Sequence, residues 1–184
     1  MRRIGMVFLV SLAFISLAKA QERTMKPDAP GTLRVWPQIG HWQTVLFRGT
    51  KGENDLICLL GTAVKNKSGS FDYLWGIMGR KNIVSLVIVD KDKIAVSGNN
   101  ISVIIDGIPV GSYPITKSHS TNNHKFIISD LSNSSSSRIE SLFASGGRVE
   151  FKTAEAQYTA SLEGAGVGIN NFRECLNEIS EISK

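Results

Sequence analysis

Residues 158–184 read YTASLEGAGVGINNFRECLNEISEISK, and the predicted arrangement of the domain is built around them. Tyr158 to Leu162 is typical of a strand, and the glycines from Gly164 to Gly168 indicate a turn. Apolar residues then recur at intervals of three and four, which predicts an amphipathic helix with Cys175 at the edge of its apolar stripe. The stripe contains Ile169, Phe172, Leu176, Ile179 and Ile182.

The chain has two cysteines, Cys58 and Cys175, and their pairing would tie the C-terminal helix to an early strand. An exported chain with two cysteines favours a disulfide, because compartments outside the cytoplasm are oxidising. Two free buried thiols are the alternative. Metal ligation is disfavoured, since neither cysteine has a neighbouring histidine and zinc needs about four ligands.

The N-terminus has the three parts of a secretory signal peptide. Arg2 and Arg3 are the positive part, Ile4 to Leu17 is apolar, and Ala18-Lys19-Ala20 is a cleavage site. The apolar run is shorter than the roughly 20 residues of a membrane span. We expect cleavage after Ala20, with an uncleaved anchor as the alternative.

The remaining chain divides into two parts. Residues 21–31 are polar with two prolines and are predicted to be a flexible lead-in. Residues 32–184 have the length of a single domain. No second apolar stretch reaches membrane length, so no stable membrane span is expected after cleavage.

Charge argues against nucleic-acid binding. The chain has 21 basic and 16 acidic residues, and three of the basic ones lie in the leader, which leaves 18 against 16. These charges are mixed along the sequence, whereas a nucleic-acid-binding protein needs a clustered positive face. No nucleic-acid partner is expected.

Alternating apolar residues and closely spaced turns predict a mainly β fold. Asp106-Gly107 lies between two apolar runs, which is typical of a tight β-hairpin. The prolines of the second arm predict an edge or bulged strand. The polar stretch from Thr116 to Asn123 is predicted to be a loop, and the capping box Ser137 to Glu140 predicts a helix start. We expect an antiparallel β-sandwich-like single domain, with a short helix before the last hairpin and a C-terminal helix.

The most aromatic stretch of the chain offers a possible partner contact. Its residues are Tyr73, Leu74, Trp75, Ile77 and Met78. An ordinary core strand explains them as well, since aromatic residues are enriched in strands, and an exposed apolar patch that binds a partner is the sharper hypothesis. The hairpin around Asp106-Gly107 is a second candidate contact.

No catalytic, metal or cofactor signature is present in the sequence. It contains no Gly-x-Ser-x-Gly elbow. His119 and His124 have no supporting carboxylate cluster, so we expect no metal site. Three alternate glycines starting at Gly164 resemble a dinucleotide fingerprint, but no parallel βαβ unit follows them, so no cofactor is expected.

Four short motifs resemble small exported proteins of alphaproteobacteria. They are Gly40-His41-Trp42, Cys58-Leu59, the hairpin from Ile101 to Pro109, and the closing segment from Ser161 to Leu176. The middle and end of the chain are also similar to the invasion-associated locus B family. The resemblance covers most of the chain after the leader. It implies a periplasmic β-sandwich-like domain linked to the envelope or to host interaction, and it transfers no catalytic residues.

These observations predict a non-enzymatic periplasmic or secreted protein. It would act through contact with another protein, in the bacterial envelope or at a host surface. The alternative is an envelope hydrolase or an inhibitor of one. A concave pocket with converging Asp, Glu or His side chains would favour the enzyme, and a protruding exposed loop would favour the inhibitor.

Overall fold

The computed structural model describes residues 31–49, 55–65, 71–90, 99–121, 124–154 and 156–182. Within these ranges the chain forms eleven strands and two helices. The strands are β1 (Thr32–Val35), β2 (Trp42–Arg48), β3 (Leu56–Lys65), β4 (Phe71–Arg80), β5 (Ile83–Asp90), β6 (Asn100–Ile105), β7 (Ile108–Pro114), β8 (Lys117–Thr121), β9 (His124–Leu131), β10 (Arg148–Lys152) and β11 (Gln157–Ser161). The helices are α1 (Asn133–Ser145) and α2 (Ala165–Ile182).

The strands form two antiparallel sheets. The seven-stranded sheet has the order β1-β2-β3-β4-β5-β9-β8, and the four-stranded sheet has the order β11-β10-β6-β7. Helix α1 precedes the β10–β11 hairpin and α2 ends the described chain. The predicted mainly β, sandwich-like architecture with these two helices is confirmed.

The core combines residues from both sheets and both helices. Leu60 of β3 lies opposite Ile77 of β4, which lies opposite Leu86 of β5, and all three are fully buried. The four-stranded sheet and the helices contribute further residues to the same apolar cluster. Among them are Ile101, Val103, Val149, Phe151, Phe143, Ile169 and Phe172. The boundaries of the leader, the lead-in and the single domain stay predictions.

The loop predicted from Thr116 to Asn123 is wrong over most of its length. Lys117–Thr121 is strand β8, which pairs with β9 at the edge of the larger sheet. The side chains of Lys117, Ser118 and His119 are exposed. An edge strand of this kind gives no apolar alternation, because backbone pairing with β9 and polar contacts hold it, and polar side chains occupy the exposed edge.

Helix α1 begins earlier than the capping box predicts. The N-cap is Ser132, whose Oγ accepts a hydrogen bond from the backbone N–H of Ser135 at 3.3 Å. Ser137 therefore lies inside the helix, and Glu140 binds Arg173 instead of completing a cap. In a run of serines any member can cap a helix, and the one where the preceding strand ends does so here.

Helix α2 also begins inside the stretch that was predicted to be a turn. Of the three glycines in this stretch, only Gly164 has a positive φ, of 83°, and the helix starts at Ala165. Gly168 is a helical residue that approaches β3 closely, since a Cβ there would lie 2.7 Å from Leu60 Cδ1. The glycine therefore serves helix–sheet packing, which the turn prediction missed.

The apolar stripe of α2 packs across the first strands of the larger sheet. Ile169, Phe172 and Ile179 are buried as predicted, and Cys175 lies within the stripe rather than at its edge. Ile182 is 61% exposed, so the buried stripe ends before the last turn. No helix in the described ranges is long and apolar enough to cross a membrane.

Candidate functional site

The two cysteines form the predicted disulfide. Cys58 on β3 and Cys175 on α2 are bonded, with their Cα atoms 6.0 Å apart and a sequence separation of 117 residues. Both residues are fully buried. A disulfide without solvent contact links elements of the fold, so its role here is structural.

The predicted contact stretch lies on β4, between β3 and β5 in the larger sheet. Ile77 is fully buried in the core, so its side chain presents no surface to solvent. Met78 points to the other face and is half-buried. The side chains of Tyr73, Leu74 and Trp75 lie outside the described part of the chain. The contact prediction for these three residues and Met78 stays a prediction.

The second candidate contact is the β6–β7 hairpin. Its turn residues Asp106 and Gly107 have φ values of 50° and 80°, as the Asp-Gly pair predicts for a type I′ turn. β7 is an edge strand, and the register shifts between Val103 and Ile104. The residue after the turn, Ile108, is 69% exposed. The hairpin therefore presents a large apolar side chain to solvent.

The Asp106 side chain fixes the hairpin against the turn between α1 and β10. Its carboxylate accepts hydrogen bonds from the backbone N–H of Gly147 at 3.1 Å and of Arg148 at 2.8 Å. Carboxylate acceptors make stronger hydrogen bonds than neutral ones. These hydrogen bonds fix the position of the hairpin turn relative to the residues that follow α1.

A recess of about 370 Å³ lies between this hairpin and α1. Ile105 and Val110 are its buried apolar residues, and Leu142 of α1 is half-buried. Ile108 and Arg138 are exposed residues of the lining. The sequence pointed to the hairpin but missed the contribution of α1, because no local pattern shows which helix packs beside a given turn.

Arg138 is a charged residue of the recess, and its guanidinium makes no hydrogen bond or ion pair with the described residues. Within the described ranges Arg34, Arg80, Arg148 and Arg173 form ion pairs, as Arg173 does with Glu140 at 3.0 Å, whereas the exposed Arg48 forms none. Burial raises the pKa of Tyr113, and the positive charge of Arg138 offsets part of this rise.

A polar cluster holds the edge strand β8. Asp130 accepts a hydrogen bond from Ser85 Oγ at 2.6 Å and pairs with Lys117 at 3.3 Å. Burial pushes the pKa of Asp130 upward, but these hydrogen bonds and the Lys117 charge outweigh it and hold the pKa below its usual value. Asp130 is therefore ionised at neutral pH.

The described residues contain no group of three or more His, Cys, Asp or Glu side chains that could hold a metal ion. His119 is exposed on β8, with its ring 6.4 Å from that of Phe126. The side chain of His124 lies outside the described part. Asp106 is the one carboxylate among the recess lining, and backbone N–H groups bind it.

Comparison with known proteins gives a likeness of fold. No family model and no curated protein matches the chain. Among solved structures, the chain is similar to invasion associated protein b from Bartonella henselae, with a TM-score of 0.56 and 12% sequence identity. The match covers 79% of this chain and 99% of that chain. At this identity the likeness shows the fold alone, and it agrees with the resemblance that the sequence motifs indicate.

Proposed function

We propose that this chain is a non-enzymatic periplasmic or secreted protein that acts by binding another protein. The observation that carries the proposal is the exposed Ile108 beside the recess at the β6–β7 hairpin. A concave recess lined by apolar side chains with a few polar groups is typical of a binding site, and Ile108 is an exposed part of this lining. The name of the structural neighbour, invasion associated protein b, supports a place in the envelope or at a host surface.

Export is supported by two independent features. The leader has the positive, apolar and cleavage-site parts of a signal peptide. The buried Cys58–Cys175 disulfide fits an oxidising compartment, since disulfides are rare where thiols are kept reduced. Cleavage after Ala20 would release residues 21–184 into the periplasm or the medium.

The second candidate function is inhibition of an envelope hydrolase. Four consecutive exposed residues, Asp106 to Pro109, lie at the hairpin turn, and an exposed loop of this kind suits insertion into an enzyme's cleft. The hydrolase alternative has weaker support. A hydrolase needs converging acid and base groups, whereas the recess lining has a single carboxylate, Asp106, which is bound by backbone N–H groups.

Site-specific photocrosslinking in bacterial cells that export the protein tests the proposal. We would place a photoreactive phenylalanine analogue at Ile108 and, as a matched control, at Ile83, which is 50% exposed beside the β4–β5 turn. We expect a protein adduct from position 108 and none from position 83. The analogue is also placed at Met78, and each labelled protein is tested in the bacterial cells and with host membranes. If neither position 108 nor position 78 gives an adduct in either setting, the proposal is overturned.

The same experiment separates the two candidate surfaces. An analogue at position 78 reports on the aromatic stretch of β4. Met78 is chosen because its side chain is described and partly exposed. If replacing Tyr73, Leu74, Trp75 and Met78 by small residues leaves every adduct unchanged, this stretch is not the contact. An adduct with a hydrolase, together with a lower rate of that hydrolase, would establish the inhibitor alternative.

A further inference from the structure

We propose that the recess between the β6–β7 hairpin and α1 binds a peptide segment of the partner in which an apolar side chain adjoins a carboxylate. The inference rests on the proposed function and names the chemistry of the partner's contact. Two features of the recess carry it. They are an apolar floor with an exposed isoleucine at its rim, and an arginine without an ion pair on the adjoining helix.

The apolar part of the recess can take one or two aliphatic side chains. Ile105 and Val110 are 4% and 7% exposed and form the floor, with Leu142 on the helix side. Ile108 is the most exposed large apolar residue in the described part of the chain, at 69%. Covering it with another apolar group removes that surface from water, which favours binding.

The charged part of the recess selects an anion. Arg138 has no acidic partner within the described ranges, and its guanidinium offers N–H donors in a fork that matches a carboxylate. The other charged lining residue, Asp106, already accepts two backbone N–H groups. A carboxylate that entered the recess would therefore meet an unpaired cation.

Helix geometry places the two parts side by side. Arg138 and Leu142 are four residues apart on α1, so both lie on the face that lines the recess. Ser141 lies on the same face and adds a hydroxyl group. A ligand whose aliphatic side chain lies on Leu142 thus brings a neighbouring carboxylate near Arg138.

The walls of the recess are held before any ligand arrives. A Cβ at Gly146 would lie 2.7 Å from Ile105 Cγ2, so α1 ends in close contact with β6. The Asp106 carboxylate fixes the other side through Gly147 and Arg148. A preformed site loses little conformational freedom on binding, which favours recognition of short segments.

Titration of the isotope-labelled protein with two tripeptides, followed by amide NMR shifts, tests the inference. The probes are acetyl-Leu-Leu-Glu-amide and its uncharged isostere acetyl-Leu-Leu-Gln-amide. We expect shifts at Ile108, Arg138 and Leu142, and about fivefold tighter binding of the Glu peptide, because charge-assisted hydrogen bonds exceed neutral ones. High salt should remove this preference and leave the Gln peptide's affinity unchanged.

Two pairs of variants assign the effect to the recess. Arg138→Gln should bring the affinity ratio of the two peptides to about one. The control is Arg48→Gln, which removes another exposed arginine and should leave the ratio unchanged. Ile108→Ser should weaken both peptides equally, and Ile83→Ser should weaken neither. Amide spectra of each free variant show that it is folded.

Three results would overturn the inference. They are equal affinity for the two peptides, shifts confined to other surfaces, or no shifts with either peptide up to its solubility limit. Crosslinks from position 108 alongside any of these results would leave the proposed function standing. Absence of crosslinks from both positions 108 and 78, together with absence of the shifts, would remove both proposals.

Discussion

Trp36 and Trp42 are both buried, but only Trp42 has a hydrogen-bond partner for its Nε1–H in the described structure. Trp42 is fully buried, and its Nε1–H donates to the carbonyl of Ser161 at 2.9 Å, which joins β2 in one sheet to β11 in the other. Trp36 is 4% exposed, and its Nε1 has no hydrogen-bond partner in the described structure. The Arg34 guanidinium lies 4.2 Å from the Trp36 ring centroid.

This difference predicts unequal costs of the same substitution. Trp42→Phe should lower the free energy of unfolding by about 2–4 kcal/mol, because it opens a cavity and leaves the Ser161 carbonyl unpaired. Trp36→Phe removes a similar volume but no hydrogen bond, so its cost should be about 1–3 kcal/mol smaller. Urea unfolding measures both values. Equal losses would contradict the role assigned to the Trp42 hydrogen bond.

Burial of single residues was beyond the reach of the sequence. Ile77 and Ile108 are both isoleucines on strands, yet Ile77 is fully buried and Ile108 is 69% exposed. Ile77 lies on the central strand β4 and belongs to the apolar core, whereas Ile108 follows a hairpin turn at a sheet edge. Exposure depends on what packs over a strand, and local periodicity does not contain that information.

Helix α2 contacts the first three strands of the larger sheet and helix α1. Its acidic residues Glu174 and Glu178 pair with Arg34 of β1, and Arg173 pairs with Glu140 of α1. Thr44 of β2 donates from Oγ1 to the Gly168 carbonyl at 3.2 Å. The disulfide adds a covalent link from α2 to β3. We therefore expect α2 to stabilise the whole domain.

Removal of the disulfide tests this role. The Cys58→Ala/Cys175→Ala variant should unfold more easily by up to about 4–5 kcal/mol, the value of the chain-entropy model for a loop of more than 100 residues. Urea unfolding of the variant and of the wild type measures this difference. Wild-type protein unfolded with a reducing agent is the control, because it keeps both sulfur atoms and separates the cross-link from the lost volume.

The outcome also decides what the disulfide does. A loss below about 1 kcal/mol in both the variant and the reduced protein would mean that packing alone holds α2, since cross-links of long loops usually contribute more. A loss in the variant alone would assign the effect to the cavity left by the two sulfurs.

For the whole molecule, we expect the Cys58–Cys175 disulfide to form only when the protein is exported. Expression of the full chain in a bacterium should give an exported protein that begins at Gln21 and lacks free thiols, whereas the chain without residues 1–20 should stay inside the cell with both thiols reduced. Mass spectrometry with thiol labelling measures the N-terminus and the redox state. An exported protein that retains residues 1–20 would contradict cleavage after Ala20.

Local patterns in the sequence were enough to predict the fold class, the C-terminal helix and the Asp106-Gly107 hairpin, and they favoured the Cys58–Cys175 link. These features follow from local periodicity, from turn chemistry and from there being two cysteines to pair. The tertiary structure alone decided the strand order, the edge strand β8, the starts of both helices and the recess that brings Arg138 beside Ile108. The physical reason is that pairing at an edge, close helix approach and open recesses all arise between segments distant in sequence, whose packing no local pattern specifies.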